Sequence, residues 1–172
     1  KAELRDLPSL IEAFEGVKKV YHCAAFISFA FSDRQKLYEI NQKGTSYIVN
    51  LCLKNNIEKL VYVSSVASLG SEENETIVDE NSTWDNNIDK TPYGYSKYGA
   101  EMEVWRGSQE GLDVAIVNPG IVLGPDSPFE KTFKYMKSWL RFYTPGIKGY
   151  VWVEDVIYVM IKLMDSGIKS ER

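Results

Sequence analysis

The sequence of 172 residues predicts an α/β protein built on a parallel, doubly wound β-sheet. Short apolar segments of strand character alternate with longer segments of helical period, which is the order of repeated β-α-β units. Residues 60–63 are almost continuously apolar, as expected for a strand buried on both faces of a parallel sheet. Small or polar residues follow three of the predicted strands, where such sheets bind their ligands.

The first segment predicts a short helix followed by a strand. Asp6 and Ser9 are capping residue types, and Pro8 suits a first helical turn. Gly16 is typical of a helix end. Residues 17–25 then have strand character and run into small side chains. These leave room for a flat group against the backbone, although close packing of a helix on the sheet is the alternative explanation.

The middle of the chain predicts two helices, two strands and one long loop. In order they are a helix over 35–55, a strand over 60–63, a polar and acidic loop over 70–91, a helix from Tyr93 to about Gly111 and a strand over 114–117. Leu37, Ile40 and Ile48 recur at helical spacing in the first helix. Long loops in compact domains are often lids or binding segments.

The last section is less regular. It contains an aromatic-rich stretch over 129–143, a turn at 144–146, a strand over 149–153 and a helix that begins at Glu154. Aromatic stretches belong to a core more often than to a pocket.

Composition and charge exclude several classes of function. The net charge of −4 provides no basic surface for nucleic acid or anionic membranes, and no apolar run reaches the length of a membrane span. His22 is the only histidine, which nearly excludes a zinc centre or a Ser-His-Asp hydrolase. Cys23 and Cys52 are far apart in apolar surroundings, so we expect two buried thiols of a cytoplasmic protein rather than a disulfide or a metal site.

Tyr93 and Lys97 form the candidate catalytic pair. They stand four residues apart, so on a helix they share one face. A phenol beside an ammonium group can act as an acid–base pair if the phenol pKa, near 10 when free, is lowered toward neutrality. The spacing alone is common on solvated helix faces, so the interpretation depends on the rest of the chain.

That support comes from the ends of the predicted strands. Ala24-Ala25, Ser64-Ser65 and Asn118-Pro119-Gly120 each follow a strand. Because the carboxyl ends of parallel strands meet at one edge, these residues are expected to surround one site.

Four motifs together resemble the extended branch of the short-chain dehydrogenase/reductase superfamily. They are His22-Cys23-Ala24-Ala25, Ser64-Ser65, Tyr93 with Lys97, and Asn118-Pro119-Gly120 with Gly124-Pro125. The resemblance extends from about Lys1 to Leu163 and implies a Rossmann-like fold. Within the branch, residues 61–67, 117–125 and 151–156 look most like dihydroflavonol reductases and 3β-hydroxysteroid dehydrogenases, with sugar-nucleotide epimerases and dehydratases close behind.

The resemblance implies a role for each catalytic candidate. Tyr93 would be the general acid/base, and Lys97 would lower its pKa and bind the nicotinamide ribose. Ser65 would hold the substrate oxygen, with Ser64 as the alternative for that role. Asn41 would be structural or would assist a water-mediated proton relay, and simple helix packing is equally consistent with its position.

The resemblance also implies a set of cofactor-binding residues. They are Glu3, Leu4, Cys23, Ala24, Ala25, Val63, Ser64, Tyr93, Lys97, Pro119 and Gly120. Glu3-Leu4 falls where the family has an acidic residue facing the adenine, and Glu is longer than the usual Asp. The cofactor would be NAD or NADP, a choice that these residues leave open.

The chain departs from the family pattern in one respect. The glycine-rich turn that seats the pyrophosphate is absent from the sequence. We therefore expect the chain to be the central part of a longer protein, without the first strands of its sheet. Residues 1–125 would be a partial NAD(P)-binding domain, and residues 126–172 a partial substrate-binding region that returns to that domain.

Three functions remain open from the sequence. The first is an NAD(P)-dependent oxidoreductase that transfers a hydride between nicotinamide and a ketone or secondary alcohol. The second is a nucleotide-sugar epimerase or dehydratase that uses bound NAD, and the third is a non-catalytic dinucleotide-sensing module. The expected partners are a small-molecule substrate, which the aromatic residues 129–143 permit to be apolar or aromatic, and a second copy of the chain in a homodimer.

Overall fold

A parallel three-stranded sheet lies at the centre of the protein. The structure, a computed structural model, describes residues 1–70, 78–82, 84, 91–125 and 149–171. The strands are β1 (Lys19–His22), β2 (Lys59–Val63) and β3 (Val114–Val117), in the spatial order β1-β2-β3. His22 is opposite Tyr62, and Val63 is opposite Val117, so the three carboxyl ends lie at one edge of the sheet. The predicted α/β class with a parallel sheet is confirmed.

Helices precede, connect and follow these strands. They are α1 (Leu7–Ala13), α2 (Arg34–Leu37), α3 (Gly44–Lys54), α4 (Pro92–Gln109) and α5 (Val153–Asp165). A π-helical segment, Tyr38–Lys43, joins α2 to α3, and 3₁₀ turns occur at Phe31–Asp33 and Val66–Ser68. None of the helices in the described ranges combines the length and apolar composition needed to cross a membrane.

Strands β2 and β3 are buried on both faces of the sheet, and alternate residues of each strand point to opposite sides. Leu60 and Tyr62 of β2 belong to the larger core cluster, which includes Val49 of α3 and Val104 of α4. Val61 points the other way, into a smaller cluster formed with α5. Helices therefore cover both faces, which is the doubly wound arrangement.

A second, two-stranded parallel sheet lies beyond β3. It pairs β4 (Ile121–Leu123) with β5 (Tyr150–Trp152). Gly120 approaches Gly149 so closely that a Cβ built on Gly120 would collide with the Gly149 carbonyl group. Any larger side chain at position 120 would push these two segments apart.

Two predicted elements differ from the structure in detail. The first strand is Lys19–His22 rather than 17–25, because its ladder to β2 ends where His22 pairs with Tyr62. The helix predicted over 35–55 occupies nearly that range, but a π-helical segment interrupts it. Strand β4 was not predicted.

Several predictions concern residues outside the described ranges. The aromatic stretch 129–143 and the turn 144–146 lie there entirely, and the loop 70–91 lies there in large part. The division into residues 1–125 and 126–172 stays a prediction.

Candidate active site

A cavity of about 550 Å³ opens at the carboxyl ends of the three central strands. Most of the predicted site residues line it: Cys23, Ala25, Val63, Ser64, Ser65, Tyr93, Lys97, Pro119 and Gly120. They come from β1, β2, β3 and α4, which are distant in sequence. The structure thus brings together the strand ends and the Tyr93–Lys97 pair.

The start of α4 fixes the position of Tyr93. Thr91 has an extended backbone, and its Oγ1 accepts a 3.1 Å hydrogen bond from the amide of Gly94. Pro92 occupies the first turn, where its missing N–H costs nothing. Tyr93 therefore leaves the helix in its first turn at the cavity wall, and Lys97 follows one turn later.

Lys97 is buried beneath the cavity, with only 2% of its surface exposed. Its Nζ donates 2.8 Å hydrogen bonds to the hydroxyl of Tyr62 and to the carbonyl oxygen of Val63. Burial lowers the pKa of Lys97 to about 8, against the opposing charge of Glu101. The ammonium group is thus held in place with one further N–H available, since lysine has three.

The phenol of Tyr93 has a different environment from the predicted one. Burial raises its pKa, and a side-chain hydrogen bond with Ser65 opposes that rise. The predicted lowering by Lys97 is not found, because the Lys97 ammonium group is bonded to Tyr62 and Val63. A protonated Tyr93 is suited to donating a proton at neutral pH.

The two serines after β2 have different surroundings. The hydroxyl of Ser65 accepts a 3.2 Å hydrogen bond from the amide of Ala67 and interacts with Tyr93. The hydroxyl of Ser64 is buried and donates a 2.6 Å bond to Oε2 of Glu101. Of the two, Ser65 is the one with its hydroxyl beside Tyr93.

Glu101 is a buried residue that the sequence interpretation missed. Its Oε2 accepts hydrogen bonds from Ser64, Ser68 and the side-chain amide of Asn118. These bonds tie α4 to the segments that follow β2 and β3. The available signal was spacing, because Tyr93, Lys97 and Glu101 recur every four residues on one helix face.

Asn41 lies in the π-helical segment and is almost fully buried. Its Oδ1 accepts a 2.7 Å bond from the amide of Phe26, while its Nδ2 donates to the Phe26 carbonyl and to Ser96 Oγ. These contacts fix the segment after β1 against α4. The arrangement favours the structural role among those considered for Asn41.

Three predicted cofactor-binding residues do not line the cavity, and one cysteine that was expected to be buried is exposed. Glu3 is exposed and pairs with Arg5, and Leu4 packs beneath Gly44; neither lines the cavity. Ala24 is exposed beside the lining residues Cys23 and Ala25. Cys52 is buried as predicted, but Cys23 is exposed because it follows the end of β1.

The cavity suits the nicotinamide end of a dinucleotide. Small side chains at the ends of β1 and β3 leave space against the backbone. Nζ of Lys97 donates to the carbonyl oxygen of Val63, and among the described residues no second carbonyl oxygen accepts a hydrogen bond from it. Ala25, Val63 and Gly120 would form the walls for such a group. In the part of the chain that is described, no cluster of His, Cys, Asp or Glu side chains could hold a metal ion.

Comparison with known proteins places the chain among NAD-binding proteins. A family model for an NAD-binding domain, described as "Male sterility protein", matches residues 8–156. Sterol demethylase protein B of Methylococcus capsulatus is 33% identical over 99% of this chain and 53% of its own length. Cinnamoyl-CoA reductase 1 of Petunia hybrida is 30% identical over 100% of this chain and 55% of its own length.

Solved structures share the fold. The crystal structure of gox2253 has a TM-score of 0.83 and 28% identity, and the match covers 99% of this chain and 53% of that one. The dTDP-glucose 4,6-dehydratase DesIV of Streptomyces venezuelae, crystallised with NAD, has a TM-score of 0.81 at 23% identity and the match covers 99% and 55% of the two chains. The chain spans about half the length of these relatives.

Proposed function

Since the chain belongs to the extended branch of the short-chain dehydrogenase/reductase superfamily, we propose that it serves an NAD(P)-dependent oxidoreductase acting on a ketone or secondary alcohol. One observation carries the proposal. Tyr93 and Ser65 interact at the wall of a cavity whose base is the buried Lys97. A proton donor, a hydroxyl that orients the substrate and a fixed cation are the groups that carbonyl reduction requires of a protein.

In the proposed reduction, Tyr93 donates its phenolic proton to the substrate oxygen as that oxygen gains negative charge. A nicotinamide held by the residues around this cavity would supply the hydride for the carbonyl carbon, so that a ketone would become a secondary alcohol. Ser65 donates a hydrogen bond to the same oxygen and holds it within reach of Tyr93. In the reverse direction the phenolate of Tyr93 takes the proton from the alcohol.

Lys97, Ala25 and Gly120 would hold the nicotinamide and its ribose, on the evidence of their positions around the cavity. Lys97 would use its remaining N–H for the ribose hydroxyls. The choice between NAD and NADP stays open. Comparing the turnover rates measured with NAD and with NADP would determine this preference.

The apolar lining supports an apolar or aromatic substrate. Apolar side chains line the cavity, among them Ile27, Phe29, Val66, Ile121 and Leu123. The Phe29 ring meets the Tyr93 ring edge-on, with 5.8 Å between centroids. Relatives named dihydroflavonol 4-reductase make ketones with aromatic groups sensible first candidates for a screen.

Tyr93→Phe tests the catalytic role directly. The variant should lose turnover by about 10²–10⁴-fold, the usual contribution of a general acid, while cofactor binding followed by fluorescence stays unchanged. Tyr95→Phe is the matched control, because Tyr95 lies on the same helix and is 44% exposed. Full turnover in Tyr93→Phe would exclude the proposed role.

The same assay separates the rival enzyme function. An oxidoreductase changes the net amount of reduced nicotinamide during turnover, whereas an epimerase or dehydratase returns it to its starting state. A non-catalytic module would bind the dinucleotide without turnover of any substrate in the screen.

The proposal extends to a homodimer and to a cytoplasmic location of the protein. A homodimer would bury apolar side chains such as Ile157, Tyr158 and Ile161, which α5 exposes among the described residues. Light scattering on the purified protein measures its mass directly. Cytoplasmic location would be checked by cell fractionation.

A further inference from the structure

Lys97 is the end of a buried row of four side chains. Its Nζ bonds to the hydroxyl of Tyr62, which also forms a side-chain hydrogen bond with Thr45. The Thr45 hydroxyl lies 2.9 Å from Nε2 of His22, and the His22 ring packs on Tyr62 with 5.2 Å between centroids. Tyr62, Thr45 and His22 are each at most 4% exposed. None belongs to the catalytic set proposed above.

The charge states give this row a direction. The Lys97 ammonium group can only donate, so Tyr62 accepts from it and is free to donate its own proton to Thr45. Burial and the charge of Lys97 lower the pKa of His22 to about 3, so its ring is neutral at ordinary pH. Nε2 can then accept the Thr45 proton, which leaves the Thr45 oxygen as the acceptor available to Tyr62.

The row restricts what Lys97 can do. Tyr62 and the Val63 carbonyl group occupy two of its three N–H groups, and both lie on β2. Nζ also lies 4.5 Å from the Tyr62 ring centroid, which adds a cation–π contact. The third N–H is left for a group in the cavity that Lys97 lines.

We propose that Tyr62 is a positioning residue for Lys97: its hydroxyl, oriented by Thr45 and His22, holds the ammonium group charged and aims its remaining N–H into the cavity. The proposal rests on the proposed function for its effect on catalysis. The hydrogen-bonded arrangement itself does not depend on it.

Other charged or titratable groups also act on Lys97. Glu101, one turn along α4, raises the Lys97 pKa, and the Cys23 thiol after β1 does so to a smaller extent. Tyr93 lies one turn earlier on the same helix, and His22 is neutral. Among these groups in the described part of the chain, Tyr62 is the one whose hydroxyl accepts a 2.8 Å hydrogen bond from Nζ, so its removal is the sharpest test.

Tyr62→Phe removes the hydroxyl and keeps the ring. The charged form of Lys97 loses an acceptor, so its pKa should fall by about 1 unit, the size expected for one hydrogen bond to a charged group. NMR titration of ¹³C-labelled lysine in the purified protein measures this shift without any turnover. The alkaline limb of the pH–rate profile should move to lower pH by the same amount.

Further variants separate positioning from simple packing. Thr45→Val removes the acceptor of the Tyr62 proton and should shift the Lys97 titration in the same direction, whereas Thr45→Ser should leave it in place. Tyr21→Phe, on the neighbouring strand and 45% exposed, is the control for loss of a phenol hydroxyl.

If Tyr62→Phe lowers only thermal stability and Lys97 titrates as before, the proposal is wrong. If Tyr62→Phe does not fold, an unshifted Lys97 in Thr45→Val overturns it equally. Because the titration requires no substrate, a failure of the proposed function would appear separately, as full turnover in Tyr93→Phe.

Discussion

The hydroxyl of Ser64 donates a 2.6 Å hydrogen bond to the buried carboxylate of Glu101. Its neighbour Ser65 instead interacts with Tyr93 at the cavity wall. The two adjacent serines thus have different roles: Ser64 stabilises the fold, and Ser65 lies at the candidate active site. This separation makes opposite predictions for their substitution.

Ser65→Ala should lower kcat by about 10²-fold, the order found for loss of one donor to a developing oxyanion, with little loss of stability. Ser64→Ala should lower the free energy of unfolding by about 1–3 kcal/mol, because it removes a donor from a buried carboxylate. Steady-state kinetics and urea unfolding on both variants measure the two effects. The reverse pattern would assign the substrate contact to Ser64.

Glu101→Gln should destabilise the protein by about 1–3 kcal/mol, because hydrogen bonds to a buried carboxylate are weakened or lost. The amide replaces an acceptor with a donor, while Ser64, Ser68 and Asn118 all donate toward this position. Glu103→Gln is the matched control, since Glu103 is partly exposed and pairs with Arg106 at the surface. Equal unfolding midpoints for the two variants would contradict a structural role for the Glu101 carboxylate.

Lys97→Ala should weaken cofactor binding, because the variant loses the buried ammonium group that lines the cavity. The pH at which alcohol oxidation reaches its plateau should stay unchanged, because the Lys97 ammonium group does not lower the pKa of Tyr93. Binding titrations and a pH–rate profile check both effects. Lys54→Ala, at the exposed end of α3, is the control. Unchanged affinity for the cofactor would remove Lys97 from the mechanism.

Stability should fall on mild acidification because of His22. Its pKa is lowered from 6.5 to about 3 in the folded protein, so between these values the unfolded chain binds more protons. Stability therefore rises with pH across this window and is lost as pH falls, by roughly 1–2 kcal/mol between pH 6.5 and 5. Urea unfolding at several pH values measures the slope. With a single histidine in the chain, His22→Gln should flatten it; a slope that persists in this variant would have another source.

The sequence predicted the sheet well because its signals are local. The apolar run at 60–63 is typical of a buried strand, and the residues after the strands marked the edge where the cavity lies. Cys23 was misjudged because apolar neighbours in sequence do not reveal where a strand stops pairing. The short length of β1 depends on its partner β2.

The polar network could not be predicted for a related reason. In the sequence, Tyr62 looks like one more apolar residue of a buried strand. Thr45 looks like an ordinary residue of an amphipathic helix. The contacts of these two side chains with Lys97 and His22 depend on how β1, β2, α3 and α4 pack against one another. The periodicity of hydrophobic residues within one segment carries no information about that packing. The pKa of Tyr93 likewise depends on where the Lys97 ammonium group points, and that is fixed by Tyr62 and Val63.

The close approach of Gly120 and Gly149 has an evolutionary consequence. Together with the pairing of β4 and β5, it anchors both ends of the intervening chain next to the cavity. Replacement of Gly120 by a residue with a side chain would therefore be selected against, because it would separate β4 from β5 at the edge of the cavity.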